Sequence, residues 1–258
     1  MEKAQGVFLW VALVTGFLNE TAYDPHSREE VMDMLSAVPE GLESVYLQSF
    51  RKIPATLKAS SQLLLRWVLL ARRPLNTIEL TYALVCNTPH KSQAVCESSE
   101  AFVQSDQMEN RIRMLSGGLL ETSNFQKRAD DDENSTYSFE RDEGLKVQFI
   151  HESVRDFLIT GDGQTIFDKE VNGDKFTGYS HEILKQSCIN YLAIEELSMD
   201  CRRYTVLHDG NFDEITDLFD PDRCLTRRDV ARDLELTYPF LEYAVRSTFF
   251  HASCAEAA

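Results

Sequence analysis

Val147-Gln148-Phe149-Ile150-His151-Glu152-Ser153-Val154-Arg155-Asp156-Phe157-Leu158 is the stretch that decides the fold. Val147 and Phe149 alternate, which predicts a strand with both on one face. Val154, Phe157 and Leu158 then repeat at helical spacing. A strand therefore passes directly into a helix, and His151 stands at the junction. An imidazole there can reach past the end of a sheet and donate a hydrogen bond to a phosphate near neutral pH. The plainer role is a histidine that caps its own helix or satisfies a nearby carbonyl.

The strand needs a partner, and Leu119-Leu120-Glu121 provides one, just after the C-cap signal Gly117-Gly118. Between the two strands runs the charged stretch Arg128-Ala129-Asp130-Asp131-Asp132-Glu133-Asn134-Ser135. A helix over 101–116 precedes the hairpin. Further upstream, Leu42, Val45, Tyr46, Phe50 and Ile53 share one helical face, and Pro54 follows its end. Residues 56–73 predict a longer helix, apolar nearly all round and hence central, stopped by Pro74. Asn76-Thr77-Ile78-Glu79 has the form of a capping box and opens a helix Ile78–Cys86. Residues 87–100 read as a polar loop. Three helices followed by a two-stranded wing is the order of a winged-helix domain, over 56–160. The fold class is mainly α, a winged helix with a small β-hairpin wing, flanked by helical segments at 1–55 and 161–258. The first flank carries helices at 4–20 and 27–38. The second carries them at 179–197, 212–219 and 228–250, the last broken near Pro239.

Of the 258 residues, 43% are apolar, enough for a buried core. The net charge of −16 opposes binding to nucleic acid or anionic membrane without sequence preference. Residues 161–258 hold 19 of the 42 acidic groups, so the C-terminal third is the most acidic part. The six cysteines form no CxxC pair, which argues against a zinc knuckle and for reduced cytosolic thiols. The apolar run Val7–Val14 after Lys3 superficially resembles a signal peptide, but it lacks a clear cleavage site and is too short to span a bilayer. It reads as a buried helix.

No P-loop, GxGxxG or GxSxG motif occurs. His151-Glu152 begins like a zinc-binding HExxH, but Arg155 stands where the second histidine belongs. Asp130, Asp132 and Asn134 begin like a calcium loop, but Ser135 and Arg141 occupy the glycine and bidentate-glutamate positions. The sequence thus offers no catalytic constellation and no metal site.

Several segments in order resemble the region that follows the nucleotide-binding core in NACHT-type STAND signal-transduction NTPases, especially fungal members, which often continue into ankyrin repeats. They are Lys3–Val11, Leu35–Tyr46, Arg73-Pro74-Leu75 with Glu79-Leu80 and Ala83-Leu84, Gly117–Glu121, Phe149–Leu158 and Pro239–Ala244. Two positions carry a role under this resemblance. Gly6-Val7-Phe8-Leu9-Trp10 falls where related NTPases pack a Gly-x-Pro-Leu segment near adenine, with Phe8 in place of proline. His151 falls where related winged helices carry the histidine of a Met-His-Asp motif, which reaches the β-phosphate of ADP and holds the inactive form. Ile150 and Glu152 replace its neighbours here.

The resemblance implies a non-catalytic regulatory segment in which His151 is the nucleotide-sensing residue. ADP or ATP would be held by an upstream NACHT domain, with no cofactor in this chain. The partners would be that domain, downstream repeats and other proteins, in the cytoplasm, with neither nucleic acid nor membrane. One charge-assisted hydrogen bond contributes roughly 1.5–3 kcal/mol, which changes a two-state ratio about ten- to a hundredfold. Two other classes remain open. One is an interaction scaffold whose acidic C-terminal third binds a partner. The other is a DNA-binding winged helix, disfavoured because helix 101–116 offers only Arg111 and Arg113 as cations.

Overall fold

The computed structural model describes residues 10–11, 15, 41–99, 101–123, 145–159, 161–167, 174–208 and 227–257. The expected helices at 27–38 and 212–219, the charged stretch 128–135, and nearly all of 4–20 lie outside them. Trp10, Val11 and Thr15 are helical.

The first described helix, α1, is Leu42–Arg51, and it buries Val45, Tyr46 and Phe50. A 3-10 turn at Ala55–Leu57 leads into α2, Lys58–Leu70. This is the central helix that the apolar run predicts: Leu64, Leu65 and Trp67 have no exposed surface. At its end the chain turns through Pro74 into α3, Thr77–Val85. The capping box is complete. Asn76 Oδ1 accepts the Glu79 amide at 2.8 Å, and Glu79 Oε2 accepts the Asn76 amide at 3.0 Å. Arg73 adds a two-pronged ion pair to the same carboxylate, at 2.8 and 2.6 Å.

Residues 93–97 depart from the expected polar loop. Ser92 accepts the Val95 amide and starts a short helix, α4, Gln93–Glu97, that buries Cys96. The turn is local, so no apolar periodicity announces it. Helix α5 is Ser105–Ser116, starting four residues later than the pattern suggests. It ends where the glycine pair predicts, with Gly117 at φ +62°. A Cβ at Gly117 would lie 2.7 Å from the Ser49 carbonyl oxygen of α1, so glycine is required by conformation and by space.

Strands β1, Leu120–Ser123, and β2, Lys146–Phe149, pair antiparallel, with Leu120 opposite Phe149 and Ser123 opposite Lys146. The other edge of β2 bonds residues 75–77: the Val147 amide donates to Leu75 O and the Thr77 amide to Leu145 O, each at 3.1 Å. The described residues are thus mainly helical with one small sheet, in the order helix, helix, short helix, helix, hairpin, with an isolated bridge from Asn76 to Lys146; apart from the added α4 this is the order expected of a winged helix. Helix α6, Glu152–Ile159, follows directly and buries Val154, Phe157 and Leu158.

After a 3-10 segment, Gly161–Ile166, come α7, Asp174–Leu192, and α8, Glu195–His208. The expected single helix 179–197 is therefore two helices, parted at Ala193-Ile194. Ile194 is fully buried at that corner, so its apolar character serves a turn rather than a helix face. Helices α9, Arg227–Thr237, and α10, Leu241–Glu256, flank Pro239. Helix α10 lies along α7, and both pack against the winged helix. Trp67 of α2 meets Phe240, Tyr243 and His251 edge-on, with ring centroids 5.7, 5.8 and 5.9 Å away. One continuous core runs from Tyr46 to Ala244, through residues of all three expected segments, 1–55, 56–160 and 161–258.

Candidate functional site at the strand–helix junction

Hydrogen bonds along β2 end at Ile150, whose amide donates to Leu119 O at 3.2 Å. Helix α6 begins two residues later, and His151 fills the gap. Its own carbonyl accepts the Val154 amide at 3.1 Å. Its ring folds back over the first turn, where the Ser153 amide donates to Nδ1 at 3.1 Å. The capping role is therefore present: an imidazole nitrogen satisfies an amide that the helix start leaves open.

That bond also determines the tautomer. A nitrogen that accepts from a backbone amide carries no proton, so in the neutral ring Nε2 holds it. The Ser153 hydroxyl lies 2.7 Å from the same Nδ1 and donates to it. The Tyr46 hydroxyl lies 2.8 Å from Ser153 Oγ, whose proton is already committed, so Tyr46 donates in turn. Burial raises the Tyr46 phenol above its ordinary value, in keeping with a donor that retains its proton. The order Tyr46, Ser153, His151 leaves Nε2–H as the outer end. The ring is half-buried, and Nε2 has no hydrogen-bond partner among the described residues.

Beside this turn lies a cavity of about 320 Å³. Phe149, Glu152 and Arg155 line one wall, and Arg72 and Arg73 the other; His151 is not part of the lining. Its arginines are already engaged. Arg73 binds Glu79 and approaches Glu242 at 3.6 Å, Arg155 binds Glu152 at 3.1 Å, and Arg72 donates to the Arg246 carbonyl at 3.0 Å. Each of the three arginines lining the cavity thus has a protein partner.

Among the described residues no group of three His, Cys, Asp or Glu could hold a metal ion. No helix among them is long and apolar enough to cross a membrane. Helix α5, which occupies the recognition position of a winged helix, exposes Gln107, Glu109, Asn110, Arg113 and Met114, with Arg111 half-buried. Phe8 and its neighbours Gly6, Val7 and Leu9 lie outside the described residues. Neither Ser153 nor Tyr46 is identified from the sequence as a support of His151. The spacing His151-x-Ser153 is a usable local signal for the first, but Tyr46 is 107 residues from Ser153 and no local pattern points to it.

No curated protein and no solved structure matches the chain. The model of one family, described as Domain of unknown function (DUF7791), matches residues 43–201. The match begins in α1, contains the whole winged helix with its His151 junction, and ends in α8. It covers more than half of the chain, which therefore belongs to the DUF7791 family.

Proposed function

We propose that this chain is a non-catalytic regulatory segment of a NACHT-type STAND switch, and that His151 senses the nucleotide held by an upstream domain. A single observation carries the reading. The Ser153 amide holds His151 in the tautomer whose Nε2–H has no hydrogen-bond partner among the described residues. A phosphate oxygen in reach of that proton would accept a charge-assisted bond in one nucleotide state only, and the difference biases the switch. The partners on this reading are the nucleotide-binding domain on one side and helical or ankyrin-type repeats on the other, in the cytoplasm. ADP and ATP belong to the upstream domain.

The test uses the intact protein. His151→Ala or His151→Leu is expected to shift it toward the active, oligomeric form, read by light scattering and by the ratio of bound ATP to ADP. A variant that stays monomeric and ADP-bound like wild type overturns the proposal. The DNA-binding alternative finds little support in α5, whose exposed residues include one arginine and one glutamate.

A further inference from the structure

Cys86 and Cys96 stand together in the core. Cys86 caps the C-terminus of α3, Cys96 lies in α4, and both are buried, with sulfurs 4.0 Å apart. From this geometry we infer that Cys86 and Cys96 form a reversible disulfide under oxidising conditions, tying α4 to the end of α3. The loop so closed is only ten residues in sequence separation. Bonding requires the sulfurs to close from 4.0 Å to about 2.05 Å, which a five-residue helix between two turns accommodates by a small shift. A helix of that length also opens locally more readily than α3 or α7, which gives an oxidant a way in.

The roles of the two sulfurs follow from their surroundings. The two thiols lie in hydrogen-bond contact, and either can be the donor, so whichever loses its proton is stabilised by the other. Cys96, on the short helix α4 that opens more readily, is taken as the attacking thiolate. It attacks one sulfur of a low-molecular-weight disulfide such as oxidised glutathione, forming a mixed disulfide and releasing one thiolate. The Cys86 thiol then gives up its proton to that thiolate and attacks Cys96 Sγ, displacing the second thiolate, which takes up a proton from water. The cysteine pair loses two electrons, and the small disulfide is reduced to two thiols.

The placement of α4 gives the bond a consequence. The Lys91 carbonyl accepts the Glu195 amide at 3.0 Å, the Gln93 side chain donates to Thr237 O at 3.2 Å, and Asn190 donates to Cys86 O at 2.9 Å. Residues 86–96 thus join the winged helix to α7, α8 and the end of α9. A disulfide across this strap fixes it in the docked position.

The experiment uses the full chain with Cys201, Cys224 and Cys254 replaced (C201S, C224S, C254S), leaving Cys86, Cys96 and Cys188 as its thiols. The protein is equilibrated with oxidised glutathione, unfolded, alkylated and mapped by mass spectrometry. The expected result is a Cys86–Cys96 cross-linked peptide with Cys188 alkylated, reversed by dithiothreitol, and slower hydrogen exchange at the Glu195 amide. Recovery of both cysteines alkylated, or of Cys188 bonded in place of either, overturns the inference. Adding C96S to the same chain is the control, and a cross-link that persists in it also overturns the assignment.

Discussion

At the residue scale, Nδ1 of His151 caps α6, and substitutions can separate that cap from the sensing role proposed for Nε2. His151→Asn offers Oδ1 to the Ser153 amide but brings no donor to the position of Nε2–H. It is expected to melt within a degree or two of wild type. His151→Ala removes the cap as well and is expected to be less stable by about 1 kcal/mol, measured by urea denaturation. Both should impair switching equally if the Nε2 proton matters. Gly117 gives a sharper single-residue test. Gly117→Ala must hold a left-handed φ of +62° and place a Cβ 2.7 Å from the Ser49 oxygen, so a loss of at least about 2 kcal/mol is expected in the same denaturation. A near-neutral result would mean that α1 does not approach the end of α5 so closely.

At the scale of elements, the capping box and the glycine stop are the features that local sequence shows best. Asn76 and Glu79 needed only each other to be recognised, and the structure adds Arg73 to the pair. Asn76→Ala is expected to cost about 1 kcal/mol. Glu79→Gln should cost more, because it leaves Arg73 without its two-pronged partner; a double-mutant cycle with Arg73→Ala measures that coupling. Two elements leave no local signal in the sequence, for definite physical reasons. Helix α4 is too short to show a period and is started by a single serine. The break between α7 and α8 is concealed because Ile194, at the corner, is as apolar as a helix-face residue. His151 was legible at its junction, whereas its support from Ser153 and Tyr46 depends on α1 folding back against α6, a long-range event that spacing does not encode.

At the scale of the whole molecule, the family match stops at residue 201, but the core does not. Trp67, fully buried in α2, is covered by Phe240, Tyr243 and His251, all beyond the match. A chain cut after residue 201 is expected to show red-shifted tryptophan fluorescence and to lose cooperative unfolding. The same region predicts a pH dependence. His251 Nδ1 lies 2.8 Å from His181 Nδ1, and its Nε2 lies 3.0 Å from the Tyr243 hydroxyl, which accepts the Arg72 amide. One consistent set of neutral tautomers satisfies this chain of bonds. Burial and the neighbouring His181 hold His251 down at about 4, against an ordinary 6.5, and burial lowers His181 as well. Between those values the unfolded chain binds the proton more readily than the folded one, so stability is complete above about pH 6.5 and falls as the pH drops toward 4. The loss attributable to His251 is roughly 3 kcal/mol in full. Urea denaturation at pH 7.5 and 5.0 should show about 2 kcal/mol of that loss, and His251→Phe should flatten the slope.

The contact between Tyr46 and Ser153 has a mechanical consequence. It joins positions 107 residues apart in the chain through a 2.8 Å hydrogen bond, and the Tyr46 ring also rests on Phe157, with centroids 5.4 Å apart. A force on the imidazole of His151 need not travel through the wing or around the intervening helices. It arrives at α1 after two hydrogen bonds, and the ring contact resists the twist between α1 and α6. If His151 senses nucleotide as proposed, helix α1 would be the far arm of a short lever whose near end is the histidine. Tyr46→Phe disconnects that lever while leaving the ring packing in place.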